Sequence, residues 1–345
     1  MSTAMAESYE TSTFIRKYPS TQVDEPLFFV AKRYTPPSPS STGLTLLFFH
    51  CTGSHKEVWE PIIQSIFAKA RGTHSSALAI REAWTWDWQT HGEAGRLNAA
   101  VIARTEKHII AWELAYGIKK FAATEAVFKG HTLVGISHSS GGATLLHTTI
   151  DGADSGLQYK TLIIMETSML TRESVTHELD EQMLTLRNMI VRRKNSWITR
   201  EEAKRYFQAR LPWKKWDPRS LDLLVEHGLM EQTVQNPDGT TTTQVTLCCS
   251  PFQEGAAYHG HGEIHYSGAE RLATLDPELP IHLIYVTPAE TMPELLRNSV
   301  LQLREYASVQ FLPNVGHLLI QENPDLVSTL ICDILAGQST AQAKL

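Results

Sequence analysis

The sequence has little of what marks several protein classes. Its four cysteines, Cys51, Cys248, Cys249 and Cys332, contain no C-x-x-C pair, so neither a zinc ribbon nor a disulfide framework is indicated. The net charge of −6 gives no basic surface for nucleic acid or an anionic membrane. No run of about 18 apolar residues is present, and the first residues have neither the basic segment nor the apolar core of a secretory signal. We therefore expect a globular protein of a reducing compartment, with no nucleic-acid partner and no membrane span.

Apolar runs and helical patterns alternate along the chain. Continuous apolar runs at residues 44–50, 132–136 and 161–165 predict buried strands. Apolar residues at helical spacing over Leu97–Phe121 predict one long helix. Such alternation is typical of an α/β fold with a doubly wound, mostly parallel sheet.

One interval breaks this alternation. Residues 168–276 are rich in charged residues, and helices are predicted over 172–193 and 199–210. We expect this interval to be a helical cap inserted between the sixth and seventh core strands. The core then consists of residues 1–167 and residues 277–345, the second part ending in a targeting tail.

A candidate nucleophile lies between a strand pattern and a helix pattern at residues 131–150. The apolar run ends in Gly-Ile-Ser-His-Ser-Ser-Gly-Gly, which is typical of a nucleophile elbow, a sharp turn that exposes a serine hydroxyl. The residues two before and two after that serine must be small, and Ser137 and Gly141 satisfy this for Ser139. Ser137 flanked by Gly135 and Ser139 is the alternative, but the Gly-Gly pair after Ser139 favours Ser139.

A serine becomes a good nucleophile when a histidine takes its proton and a carboxylate orients that histidine. His317 lies in a Gly-His turn after the last predicted strand, 308–312, and is the candidate base. Two carboxylates are candidates for the acid. Glu166 ends a buried strand, where an unpaired charge is costly, whereas Glu290 follows the seventh strand, the usual position in such folds. Position along the chain leaves both open.

The negative oxygen that forms during acyl transfer needs two N–H donors. Ser140, the residue after the nucleophile, is expected to supply one backbone N–H. Thr52, in the loop after an early strand, is expected to supply the other, with Cys51 as the less favoured donor. We interpret Cys51 itself as a small buried hydrophobic residue.

A further polar cluster alternates along the chain: His259, His261, Glu263 and His265. On a strand, this period of two would place four potential metal ligands on one side. The glycines between them argue against a regular strand, so we interpret the segment as a polar cap loop. We predict no metal and no organic cofactor.

Several segments together resemble the fungal peroxisomal α/β-hydrolases of secondary-metabolite clusters, which include host-selective-toxin hydrolases and the acyl-CoA hydrolase of mycophenolic acid biosynthesis. Besides the elbow, the matching segments are Ile15-Arg-Lys-Tyr-Pro19, Tyr34-Thr-Pro36, His50-Cys-Thr-Gly53 and Leu312-Pro-Asn-Val-Gly-His317. The resemblance implies the α/β-hydrolase fold. In the acyl-CoA hydrolase the acid follows the sixth strand, so the resemblance favours Glu166, although that hydrolase has an aspartate there.

The C-terminal tripeptide, Ala343, Lys344 and Leu345, is similar to Ser-Lys-Leu, a peroxisomal address that a soluble import receptor recognises. A polar segment, 337–342, precedes it. Together with the location of the family, this predicts import into the peroxisome with that receptor as a partner.

The combined expectation is a serine hydrolase of an acyl-CoA thioester or a related carboxylic ester, acting through an acyl-enzyme and a triad of Ser139, His317 and Glu166. The thioester is implied by the resemblance and not by the catalytic residues. An ester or lactone hydrolase, or an acyl transferase, would use the same residues. A non-catalytic binding protein on the same fold is the alternative from another class.

Overall fold

The computed structural model of the protein describes residues 9–72, 78–167, 169–258, 262–289 and 294–338. Eight strands form one large sheet and three form a small one. In chain order the strands are β1 (Glu10–Tyr18), β2 (Leu27–Thr35), β3 (Leu44–Phe49), β4 (Ile80–Asp87), β5 (Thr132–His138), β6 (Tyr159–Met165), β7 (Ser196–Trp197), β8 (Leu229–Gln235), β9 (Thr241–Leu247), β10 (Ile281–Thr287) and β11 (Ser308–Pro313).

The large sheet has the order β1-β2-β4-β3-β5-β6-β10-β11. Strand β2 runs antiparallel to β1 and β4, and every other pair is parallel. The central strand β3 is buried along all six residues, as expected for a parallel strand covered on both faces. Because the strands from β3 onward are parallel, their carboxyl ends meet at one edge of the sheet.

Helices cover both faces of this sheet. One face packs against α3, α4 and α10, and the other against α1 and α13. The helices are α1 (Glu60–Gly72), α2 (Gly92–Arg104), α3 (Trp112–Glu125), α4 (Gly141–Thr148), α5 (Gly152–Ser155), α6 (His177–Val191), α7 (Arg200–Gln208), α8 (Pro218–His227), α9 (Pro251–Gly255), α10 (Glu263–Thr274), α11 (Glu294–Leu301), α12 (Leu319–Glu322) and α13 (Pro324–Leu335).

This three-layer arrangement, with helices on both faces of one sheet, confirms the predicted fold class, an α/β-hydrolase fold with a doubly wound, mostly parallel sheet. The chain leaves this sheet after β6 and returns at β10, the sixth and seventh strands that belong to it. Among the described residues, no helix combines the length and apolarity needed to cross a membrane.

The inserted segment has its own small core and contains more than helices. Trp197, Phe207 and Leu224 are buried together there, between α7, α8 and the antiparallel sheet β7-β9-β8. Only helices are predicted in this region from the sequence. The missed hairpin has a local turn signal, since Asn-Pro-Asp-Gly at residues 236–239 is followed by a Thr-rich run that forms β9.

The predicted helix over Leu97–Phe121 is wrong, because the chain forms α2 and α3 with an irregular stretch between them. The backbone N–H of Ile109 donates to Gln253 Oε1 at 3.0 Å, and that of Ile110 donates to Gln22 Oε1 at 2.8 Å. Side chains distant in sequence therefore satisfy the amides that a continuous helix would have paired internally.

Candidate active site

Ser139 occupies a sharp turn between β5 and α4. Its φ of 52° lies in the left-handed region, which is costly for a residue with a side chain. Its N–H donates to the Met165 carbonyl at 2.9 Å, which fixes the turn against β6. A Cβ on Gly141 would lie 2.4 Å from the Phe49 carbonyl oxygen, so the position two after Ser139 admits only glycine without rearrangement. This geometry is that of a nucleophile elbow.

The ring of His317 connects the Ser139 hydroxyl to a carboxylate. His317 follows β11, and its Nε2 lies 3.1 Å from Ser139 Oγ. Its Nδ1 lies 2.9 Å from Glu166 Oε2. A carboxylate only accepts, so Nδ1 carries the proton and Nε2 is free to accept the serine proton. Three residues from three distant segments thus form one hydrogen-bonded chain at the carboxyl edge of the sheet.

Glu166 is held at both carboxylate oxygens. While Oε2 accepts from His317, Oε1 accepts the Val286 N–H at 2.7 Å. The Arg297 guanidinium lies 3.8 Å from Oε1 and donates to the Val286 carbonyl at 2.9 Å. The Glu166 side chain is 1% exposed, so these contacts compensate the cost of burying its charge. The alternative acid, Glu290, lies outside the described residues.

His138, immediately before Ser139, contacts the backbone of His317. Its Nε2 lies 2.8 Å from the His317 carbonyl oxygen. Burial lowers the pKa of His138 to about 3, so the ring is neutral near pH 7. Because a carbonyl only accepts, Nε2 must carry the proton and donate it.

The loop after β3 lies beside the elbow. The Thr52 N–H, expected to face the substrate oxygen, donates to the Ser140 hydroxyl at 2.8 Å. The next N–H, of Gly53, donates to His91 Nε2 at 2.9 Å. Burial raises the pKa of the Cys51 thiol to about 12, which keeps it protonated and inert near neutral pH.

A cavity of about 720 Å³ opens above Ser139 and His317. Its surface is more apolar than polar, and α6 provides Leu179, Met183 and Leu186. The polar and charged residues of the lining include Asp180, Lys215, Tyr258, Glu263, Tyr266 and Glu322. A space of this size holds an organic group of many carbon atoms beside the serine.

The polar cluster around His265 does not form a metal site in the part that the structure describes. No group of three or more metal-ligating side chains is found among the described residues. Glu263 pairs with Arg172 at 2.6 Å, and His265 is buried in the cavity wall. His259 and His261 lie outside the described residues, as do Ala343, Lys344 and Leu345 of the proposed targeting signal.

Sequence reasoning missed the contacts that hold the acid and the base. Arg297 lies on α11, and its only sequence signal is an arginine in an apolar helix pattern, Leu-Leu-Arg-Asn-Ser-Val-Leu. His138 could have been noticed from its position, since a buried histidine beside Ser139 needs a hydrogen-bond partner. The Val286 N–H has no sequence signal, because every residue except proline has a backbone N–H.

Comparisons with known proteins agree with this architecture. The chain is 25% identical over 228 residues to the abhydrolase domain-containing protein ACTT2-1 of Alternaria alternata, covering 58% of this chain and 82% of that protein. It is 27% identical over 276 residues to the type I acyl-CoA thioesterase mpaH of Penicillium brevicompactum, covering 72% of this chain and 59% of that protein. These relatives confirm the resemblance to fungal hydrolases.

Solved structures show the same fold. The peroxisomal α/β-hydrolase Lpx1 of Saccharomyces cerevisiae superposes with a TM-score of 0.74 at 17% identity, covering 98% of this chain and 92% of that chain. The sequence model of the alpha/beta hydrolase family matches residues 46–330, from β3, before the Thr52 loop, into α13. That match spans both parts of the sheet and the segment inserted between them, and the chain therefore belongs to the alpha/beta hydrolase family.

Proposed function

We propose that this chain is a serine hydrolase of acyl-CoA thioesters or related carboxylic esters, with Ser139 as nucleophile, His317 as base and Glu166 as acid. The observation that carries the proposal is the position of the His317 ring, which lies within hydrogen-bond reach of both other groups. A neutral imidazole bridging a hydroxyl and a buried carboxylate is the arrangement that generates a serine nucleophile.

The first half of the reaction transfers the acyl group to the enzyme. Ser139 Oγ attacks the carbonyl carbon, and its proton passes to His317 Nε2. The carbonyl oxygen becomes negative and is stabilised by donors at the elbow, including the Ser140 N–H. Glu166 stabilises the imidazolium, which then protonates the departing thiolate or alkoxide. The product of this half is an acyl ester on Ser139.

The second half releases the acid. Water attacks the acyl ester while His317 Nε2 takes one of its protons. The tetrahedral intermediate collapses, the proton returns to Ser139 Oγ, and the free carboxylic acid leaves through the cavity. The aliphatic wall of α6 suits a large apolar acyl group in the same space.

Three observations support a CoA thioester and a peroxisomal setting. The relative mpaH is named a type I acyl-CoA thioesterase, and Lpx1 is named peroxisomal. The chain also ends in Ala343-Lys344-Leu345, the proposed address for the import receptor. We propose on this basis a role in fungal secondary metabolism.

A fluorophosphonate probe tests the nucleophile. We expect labelling of the wild type and of Ser137→Ala, and none of Ser139→Ala. Ser137 is a matched control because it lies at the same elbow and its hydroxyl is fully buried. Labelling that disappears in Ser137→Ala and persists in Ser139→Ala would reject the assignment.

A panel of acyl-CoA thioesters, oxygen esters and lactones tests the substrate class. Free thiol released from the thioesters is followed with a disulfide reagent, and acid release from the others by titration. We expect the highest kcat/KM for a thioester with a large apolar acyl group. Preference for the lactones, or acyl transfer to an added alcohol faster than hydrolysis, would favour the lactonase or transferase alternative.

A further inference from the structure

The side chain of Ser140 lies in an unusual position for the residue after a nucleophile. It is 5% exposed and lines the large cavity together with Ser139 and Thr52. Its oxygen accepts the Thr52 N–H at 2.8 Å. The amide that usually faces the substrate oxygen in this fold therefore faces the Ser140 hydroxyl instead.

The hydrogen of the Ser140 hydroxyl is available to donate to a ligand in the cavity. A serine hydroxyl has one hydrogen to donate, and its oxygen is already engaged by Thr52. Within the part of the chain that the structure describes, the only hydrogen bond of that hydroxyl is the one it accepts from Thr52, and it donates none. A buried donor without an acceptor is costly, and such groups are rare unless a ligand or water pairs with them.

The backbone of Ser140 provides a second donor at the same place. With φ of −60° and ψ of −19°, Ser140 immediately precedes α4, where N–H groups have no partner inside the helix. The amide nitrogen and the hydroxyl oxygen of one serine are only three bonds apart. Both donors of Ser140 can therefore reach one acceptor atom in the cavity beside Ser139.

We propose that the Ser140 hydroxyl is itself a donor of the oxyanion hole, so that the N–H and the O–H of Ser140 bind the substrate carbonyl oxygen together. Thr52 then acts as a positioning residue, because its N–H fixes and polarises the hydroxyl. The hydroxyl keeps its proton throughout, and only the strength of its hydrogen bond changes as the oxygen becomes negative. This inference depends on the proposed serine mechanism.

The test compares hydrolysis of p-nitrophenyl butyrate by the wild type, Ser140→Ala, Ser140→Thr and Ser137→Ala. Removing one donor of this kind lowers kcat by about 100-fold. We expect that loss in Ser140→Ala with KM changed by less than about threefold, since the bond matters most in the transition state. Ser140→Thr, which keeps the hydroxyl, should recover most of the rate, and Ser137→Ala should equal the wild type.

Binding of a trifluoromethyl ketone separates a catalytic role from a structural one. This inhibitor adds to the nucleophile and places a negative oxygen in the hole, so its affinity should fall in Ser140→Ala by the same factor as kcat/KM. Binding of the product butyrate should change by less than about threefold. If Ser140→Ala does not fold, Ser140→Cys, a near-isosteric but weak donor, should show the same losses.

An unchanged or increased kcat in folded Ser140→Ala would overturn the inference. The hydroxyl would then not bind the substrate oxygen, or it would occupy the place of that oxygen and have to move away when substrate binds. Equal loss of inhibitor and butyrate binding would also overturn it, since that indicates a general defect. A wild type that is neither active nor labelled at Ser139 would instead reject the proposed function.

Discussion

His138 Nε2 donates to the backbone carbonyl of His317 at 2.8 Å, so the residue before Ser139 holds the backbone of the residue whose ring contacts the Ser139 hydroxyl. The two rings lie 5.3 Å apart between centroids. The elbow and the loop after β11 are thus joined by a bond that does not involve Ser139. We interpret His138 as a positioning residue for the catalytic ring.

We predict that His138→Phe lowers kcat by about tenfold. Phenylalanine keeps a buried ring and removes the donor, so the His317 backbone loses one of its fixed contacts. The measurement is p-nitrophenyl butyrate hydrolysis, with the unfolding temperature determined in parallel. The control is His147→Phe, because His147 lies on α4 and bonds to Ser267, away from the triad. A folded His138→Phe with the wild-type kcat would contradict this prediction.

We predict that Glu166→Gln lowers kcat by about 1,000-fold or more. The amide keeps the shape but removes the charge that stabilises the imidazolium and fixes its tautomer. Glu290→Ala should retain near-wild-type activity, and both variants are measured with the same ester. If Glu290→Ala is inactive while Glu166→Gln is active, Glu290 is the acid instead of Glu166.

We predict that Gly141→Ala destabilises the fold by about 3 kcal/mol. Its Cβ would lie 2.4 Å from the Phe49 oxygen and 2.8 Å from the His50 oxygen, and backbone atoms cannot rotate away. The matched control is Gly142→Ala, whose Cβ would lie 3.2 Å from the Thr167 side chain. We expect a loss below about 1.5 kcal/mol there. Urea unfolding measures both, and equal losses would refute the steric explanation.

We predict that the free energy of unfolding falls as pH is lowered from 7 to 5. Burial lowers the pKa of His50 to about 4 and that of His138 to about 3, from an ordinary value of 6.5. Below pH 6.5 the unfolded chain therefore binds more protons than the folded one, so stability is present at higher pH and lost as pH falls. Each such histidine contributes up to about 1.4 kcal/mol per pH unit.

The slope of unfolding free energy against pH checks this prediction. His50→Gln should reduce this slope by up to about 1.4 kcal/mol per pH unit, the contribution of one bound proton. A wild-type slope of zero between pH 7 and 5 would mean that these histidines do not remain neutral in the folded protein.

Local patterns in the sequence are enough to predict the residues of the site that follow strands. Ser139, Glu166 and His317 each follow an apolar strand, and parallel strands bring such positions to one edge. The choice of Glu166 over Glu290 needed the family resemblance, since both follow a strand. The triad itself stays a prediction until the variants above are measured.

Contacts between distant segments could not be predicted in the same way. The break between α2 and α3 depends on the side chains of Gln22 and Gln253, which no local pattern associates with residues 105–111. The bond from Thr52 to Ser140 likewise depends on how closely β3 and α4 approach. The hairpin between β8 and β9 differs from these contacts, because its turn sequence at residues 236–239 is a local signal.

Glu166 directly follows β6, at the point where the chain departs for the inserted segment. If it is the acid, the turn after β10 has no part in moving protons. The helix that follows this turn, α11, contributes Leu296 to the cavity wall. Substitutions at Leu296 would then change the shape of the cavity, whereas Arg297 on the same helix has to be kept for its contact with Glu166.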